Sequence, residues 1–120
     1  MLFRSLDAGE ALLDDIQVIE DPRGASRAIL QNGAFETNAL LSAGLAKWRI
    51  VGNHSGRWVE DASNPTNHVL HLLATGATDD MHDHAETTLS SNRSVTLGAE
   101  YEVSYRAKWL GGAEIGRAHV

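Results

Sequence analysis

Glu100-Tyr-Glu-Val-Ser-Tyr-Arg-Ala-Lys-Trp-Leu110 changes character at every residue as far as Trp109. Tyr101, Val103, Tyr105, Ala107 and Trp109 fall on one side. Glu102, Ser104, Arg106 and Lys108 fall on the other, which is the period of two of a half-buried strand. The first set is expected to face a core. Leu12-Leu-Asp-Asp-Ile-Gln-Val-Ile19 reads as a second strand, short, rich in branched residues and partly alternating, with Ile16 and Val18 opposite Asp15 and Gln17. His68-Val-Leu-His-Leu-Leu-Ala74 is nearly continuous in apolar residues and is expected to be a central strand.

Turn chemistry separates these segments. Asp21-Pro-Arg-Gly-Ala-Ser26 reads as a turn and linker, and Asn32-Gly33 as a turn with Phe35 anchoring the strand after it. Thr37 to Ala46 suits a loop or one helical turn. Trp48-Arg-Ile-Val51 and Arg57-Trp-Val-Glu60 are expected as two strands of a hairpin closed by Gly52-Asn-His-Ser-Gly56. Ser63 to Asn67 reads as a polar loop, Gly76 to Asp83 as a loop dense in acids and histidines, and His84 to Leu89 as a strand. Ser90 to Ser94 reads as a turn. Strands recur at intervals of about 8–15 residues with no competing helical period, so the expected fold class is an all-β antiparallel sandwich.

The chain has 120 residues, enough for one ordinary domain. Ten basic and 16 acidic residues give a net charge of −6, and no basic run exists to follow a phosphate backbone. Nucleic acid is therefore not expected as a partner. Nor is a membrane, since no apolar stretch approaches the ~20 residues of a span. The absence of cysteine excludes disulfides and thiolate zinc sites.

Residues 1–5 and 114–120 follow neither hydrophobic period and resemble translated sequencing-adapter sequence. The natural sequence is expected within residues 6–113.

An ordered set of segments carries a family resemblance. Asn32-Gly-Ala-Phe-Glu36 is followed by a strand led by Trp48, then His68-Val-Leu-His-Leu72, then Tyr101-Glu-Val-Ser-Tyr-Arg-Ala-Lys108. This set resembles the jelly-roll carbohydrate-binding modules of families four and nine, within the galactose-binding-like fold. Leu13-Asp-Asp-Ile-Gln-Val18 resembles their closing strand. The longer blocks Trp48 to Gly56 and Met81 to Leu89 resemble repeats of large bacterial secreted proteins that also carry lamin-tail and spore-coat-kinase-like domains. The resemblance implies residues 6–26 as the end of a preceding module plus linker, and residues 27–113 as a module incomplete at its C-terminal side. Strand 12–19 is then expected to be able to fill the place of the missing closing strand. It also implies an extracellular or cell-surface location, a polysaccharide or glycan partner, further domains of the same parent chain, and no catalysis.

Candidate site residues follow. Trp58, flanked by Arg57 and Glu60 and near the Asn53-His54 turn, is the best exposed ring for stacking on a pyranose. Asn53, His54, Arg57, Arg106, His82 and His84 would add polar contacts. Trp48, Trp109, Tyr101 and Tyr105 are more simply core. The resemblance further implies a structural calcium held by Glu36 with Asp14 and Asp15, a hard-oxygen set. Two alternatives stand beside the glycan reading. One is a cupin-like metal enzyme using His82, His84 and Glu86, which share one side of a strand, although the spacing of Glu86 departs from the cupin pattern. The other is a structural spacer.

Overall fold

The computed structural model describes residues 2–5, 8–41, 44–76, 83–112 and 115–119. Nine strands and two single 3-10 turns make up its regular structure, with no α-helix among the described residues. The strands are β1 (Leu2–Ser5), β2 (Gly9–Glu20), β3 (Arg27–Ala28), β4 (Arg49–Val51), β5 (His54–Asp61), β6 (Asn64–Ala74), β7 (His84–Glu86), β8 (Tyr101–Gly112) and β9 (Ile115–His119). Every pairing is antiparallel, and the strands form two sheets. One has the order β4-β7-β1-β9. In the other, β5, β6 and β2 lie in that order and β8 flanks β2 on its far edge. Past the end of β6, β3 takes over the near edge, because Ile19 and Glu20 pair with both β3 and β8. The protein is thus an all-β antiparallel sandwich, as the spacing of strands and turns led us to expect.

β2 is the hub of the larger sheet, and a bulge lets it be. Asp14 pairs with Arg106 and Gln17 with Ser104, so Asp15 and Ile16 together oppose Tyr105. Asp15 adopts φ +48° to accommodate the extra residue. The bulge inverts the alternation. Ala11 and Leu13 are buried before it, and Ile16, Val18 and Glu20 after it. Without that inversion one half of the strand would turn its apolar residues to water.

The main core joins Leu13 and Ile16 of β2 to Leu70 and Leu72 of β6, Ala85 of β7, and Phe35, Ala39 and Trp48 from the connecting segments. Ala85 belongs to the opposite sheet, so this cluster is where the two layers meet. A second cluster of Val18, Ile29 and Leu89 closes the far end. The Phe35 and Trp48 rings tilt against each other at 51° with centroids 5.3 Å apart.

Several expectations need correction. Phe35 is fully buried but opens no strand; it sits at φ +55° in the loop after the Asn32-Gly33 turn. β4 and β5 are not a hairpin, because β4 pairs β7 in one sheet and β5 pairs β6 in the other. The chain crosses between layers at Gly52, where φ is +72° and a Cβ would lie 1.7 Å from an Asp83 carboxylate oxygen. The polar loop expected over 63–67 contracts to a turn at 62–63, and β6 starts at Asn64. The strand beginning at His84 ends at Glu86. The terminal segments, which no hydrophobic period marks, form β1 and β9 and pair with each other. No correction attaches to segment 9–20: the resemblance that assigns it to a neighbouring module also lets it fill the place of a missing closing strand, and it packs at the centre of the larger sheet.

Candidate functional site

In an antiparallel ladder, directly paired residues project to the same face. Leu13, Leu70 and Trp58 therefore share the core face, since Leu13 pairs with Leu70 and Leu70 with Trp58. Their neighbours point outward. Glu10, Leu12 and Asp14 of β2, Val69, His71 and Leu73 of β6, Ser55, Arg57 and Val59 of β5, and Arg106 and Lys108 of β8 make one continuous outer face.

Two shallow grooves lie on it. The first, about 150 Å³, is lined by Leu12, Asp14, Asp61, Ser63, Arg106 and Lys108 among others. The second, about 220 Å³, is lined by Glu10, Ser55, Gly56, Arg57, His71 and Leu73. Hydrogen bonds hold the side chains in place. Asn67 Nδ2 donates to Asp14 Oδ2 at 2.8 Å and reaches Asp61 Oδ2 at 3.5 Å. Ser63 donates its backbone N–H and its hydroxyl to Asp61 Oδ1 at 2.9 and 2.8 Å. Those two bonds, then Asn67 and the charge of Arg106, hold the Asp61 carboxyl below the usual range. Arg106 Nη1 lies 3.2 Å from Asp15 Oδ2, and His71 Nε2 lies 2.5 Å from Glu10 Oε1. The face thus presents fixed donors and acceptors of both signs above the apolar side chains of Leu12 and Leu73.

The expected site residues divide among several places. Arg57 and Arg106 stand on the outer face, in separate grooves. Trp58, expected as the exposed stacking ring, points inward instead. Its indole N–H donates to the Phe35 carbonyl at 2.6 Å, and its ring stacks on His68 with centroids 3.9 Å apart and planes 4° from parallel. One face and the polar edge are therefore occupied. The reason is parity: Trp58 shares its side of β5 with buried His54.

Asn53, His54 and His84 gather at the crossing between sheets. The Asn53 backbone N–H donates to Asp83 Oδ1 at 2.9 Å, its side-chain amide donates to the Gly76 carbonyl at 3.2 Å, and its Oδ1 lies 2.8 Å from His54 Nδ1. His84 Nε2 lies 2.9 Å from Glu86 Oε2, and Arg49 Nε donates to the other Glu86 oxygen at 2.6 Å. Desolvation opposes ionisation of Glu86, but the His84 hydrogen bond and Arg49 outweigh it and hold its carboxyl below the usual range. This corner reads as a joint that fixes the crossing. His82 lies outside the described residues.

His54 makes the joint sensitive to acid. Burial lowers its pKa, the nearby Asp83 opposes that shift and His84 adds to it. A histidine whose folded pKa lies below its unfolded value takes up protons on unfolding. Its contribution to stability is therefore present above about pH 6.5 and is lost as pH falls from there through the lowered value. The melting temperature is expected to drop between about pH 7.5 and about pH 5.5, with a smaller drop in His54→Gln; equal slopes would assign the acid sensitivity elsewhere.

The calcium set does not assemble. One Asp14 oxygen accepts the Asp15 backbone N–H at 2.8 Å and the other accepts Asn67. Asp15 is engaged by Arg106, and Glu36 accepts the His68 backbone N–H at 3.3 Å. Asp15 and Glu36 do line a common open groove of about 780 Å³, but Asp14 lies on the outer face. Among the described residues no three His, Asp or Glu side chains are grouped to hold a metal ion. These residues do not fit a structural calcium.

Glu10, Asp61, Ser63, Asn67 and His71 were not anticipated as members of the outer face. The signal for His71 was its parity opposite Leu70 and Leu72. No protein-family model matches the chain, no curated protein matches it, and no solved structure matches it.

Proposed function

We propose that the chain is a non-catalytic glycan-binding module of jelly-roll type, serving a secreted or surface protein and gripping polysaccharide with the outer face of its larger sheet. The observation that carries this reading is the pair of grooves lying across β8, β2, β6 and β5, each lined by an arginine with partnered polar side chains. Shallow, rigid and polar, such a face suits the hydroxyls of an extended sugar chain, which need several short hydrogen bonds of both polarities. Leu12 and Leu73 supply the apolar contact that sugar ring faces require. Trp58 plays no direct part; it supports the sheet from beneath.

A polysaccharide panel tested by affinity electrophoresis and glycan array examines the reading. Arg57→Ala and Arg106→Ala are each expected to weaken binding about tenfold, the value of one charge-assisted hydrogen bond. Their melting temperatures should stay near the parent's, since both side chains are exposed and make at most surface ion pairs. Silence of the parent protein across the panel would favour a structural spacer.

A further inference from the structure

We propose that the outer edge of β8 is a self-association surface, at which two copies of the chain pair antiparallel about a two-fold axis through Tyr105. This does not depend on the glycan reading. Among the described residues β8 pairs only with β2, so its far edge offers backbone donors and acceptors to a further strand. The backbone phase suits this. The Asp21 N–H donates to the Glu100 carbonyl at 2.9 Å on the β2 side, so Tyr101 and Val103 turn their groups to the open edge.

The side chains favour a second copy of this same strand. Tyr105 is 48% exposed and Trp109 41%, although both lie on the side of β8 that Val103 shares with the core. With Tyr105 opposite itself, the two exposed Tyr105 rings meet, the exposed Trp109 of each copy meets the half-buried Tyr101 of the other, and Val103 meets Ala107. On the other side of the ribbon that register sets Glu102 opposite Lys108, twice by symmetry. Among the described residues these are the two charges of β8 without an ion pair, Arg106 being held by Asp15. The register two residues further on would put Arg106 opposite itself, a repulsive pair. Leu110, the extra residue where β8 slips against Glu10 and Ala11, falls beyond the paired stretch. The isologous contact closes at two copies.

Sedimentation velocity of the full chain over a concentration series tests this. The parent is expected to reach a dimer and stop there. Glu102→Lys and Lys108→Glu should each weaken the dimer about tenfold or more, because two attractive pairs become repulsive. The double variant Glu102→Lys/Lys108→Glu restores opposite charges and should recover the parent's affinity. A monomer at all concentrations, growth beyond the dimer, or a double variant as weak as the single ones would overturn the proposal.

Discussion

A chain beginning at residue 22 is expected to lose cooperative folding altogether. β2 is the one strand that pairs with β3, β6 and β8. Without it, β8 and β3 have no partner among the described residues, and β5 and β6 remain as an isolated hairpin. Two-stranded ribbons are marginal in water at best. The side-chain ledger points the same way. Leu13 and Val18 are fully buried and Ile16 nearly so. Each contributes about 1.5–3 kcal/mol by burial, against a typical total stability of 5–15 kcal/mol. Leu13 and Ile16 belong to one core cluster and Val18 to the other, so both ends of the sandwich lose their floor. Far-ultraviolet circular dichroism and a thermal melt would report the result. A shortened chain that kept the parent's strand signal and melted in one sharp step would show that β2 is dispensable.

The reach of sequence reasoning can be judged from the same strand. Ile16 and Val18 were placed on one face, opposite Asp15 and Gln17, and they are buried as that alternation requires. Leu13 falls out of phase with them, and that break in parity was the one local sign of the bulge at Asp15. It was legible as an irregularity, but the strand's position between β6 and β8 was not, because register across a sheet depends on partners far away in the chain. In β8 the expected core face is covered only at Tyr101 and Val103, while Tyr105, Ala107 and Trp109 on the same side are exposed. What alternation cannot tell is whether an opposing layer covers the apolar side. Val103 is half-buried against the second core cluster, whereas Tyr105 and Trp109 stay exposed.

Trp58 illustrates the opposite error. Charged neighbours in sequence suggested exposure, yet neighbours along a strand point to the other face, and the residues that matter are Gly56 and His54, two and four positions away. The supposed hairpin failed for a related reason. Gly52 and its surroundings have the chemistry of a turn, but turn chemistry does not say whether the chain returns to the same sheet or crosses to the next. The outer face went largely unseen because its members, Glu10, Asp61, Asn67 and His71, come together only through the pairing of three strands. Arg106 lies on the outer face as its phase in β8 requires, whereas Arg57, read as a neighbour of an exposed Trp58, lies there because it points away from that ring.

Gly33→Ala is expected to cost about 3 kcal/mol, near the upper end for a single added methyl group. A Cβ at Gly33 would stand 1.9 Å from the carbonyl oxygen of Ile16, and that oxygen belongs to the bulge of the hub strand. Nothing there can swing aside. The Gly33 carbonyl also accepts the Ile16 N–H at 3.0 Å, so relieving the clash breaks the bond that holds the bulge to the loop. Gly24 offers the contrast. A Cβ there would meet Asp21 Oδ2 at 2.4 Å, a comparable crowding on paper. That atom ends a side chain on an exposed turn, and moving it forfeits mainly its bond from the Ala25 N–H, worth about 1 kcal/mol. Urea denaturation of the two variants should therefore separate them by about 2 kcal/mol, with Gly33→Ala much the weaker. If the two midpoints coincided, the close seat of the Asn32-Gly33 turn on β2 would have to be wrong. The way Phe35 and Glu36 are delivered to the core and to His68 would then fall with it.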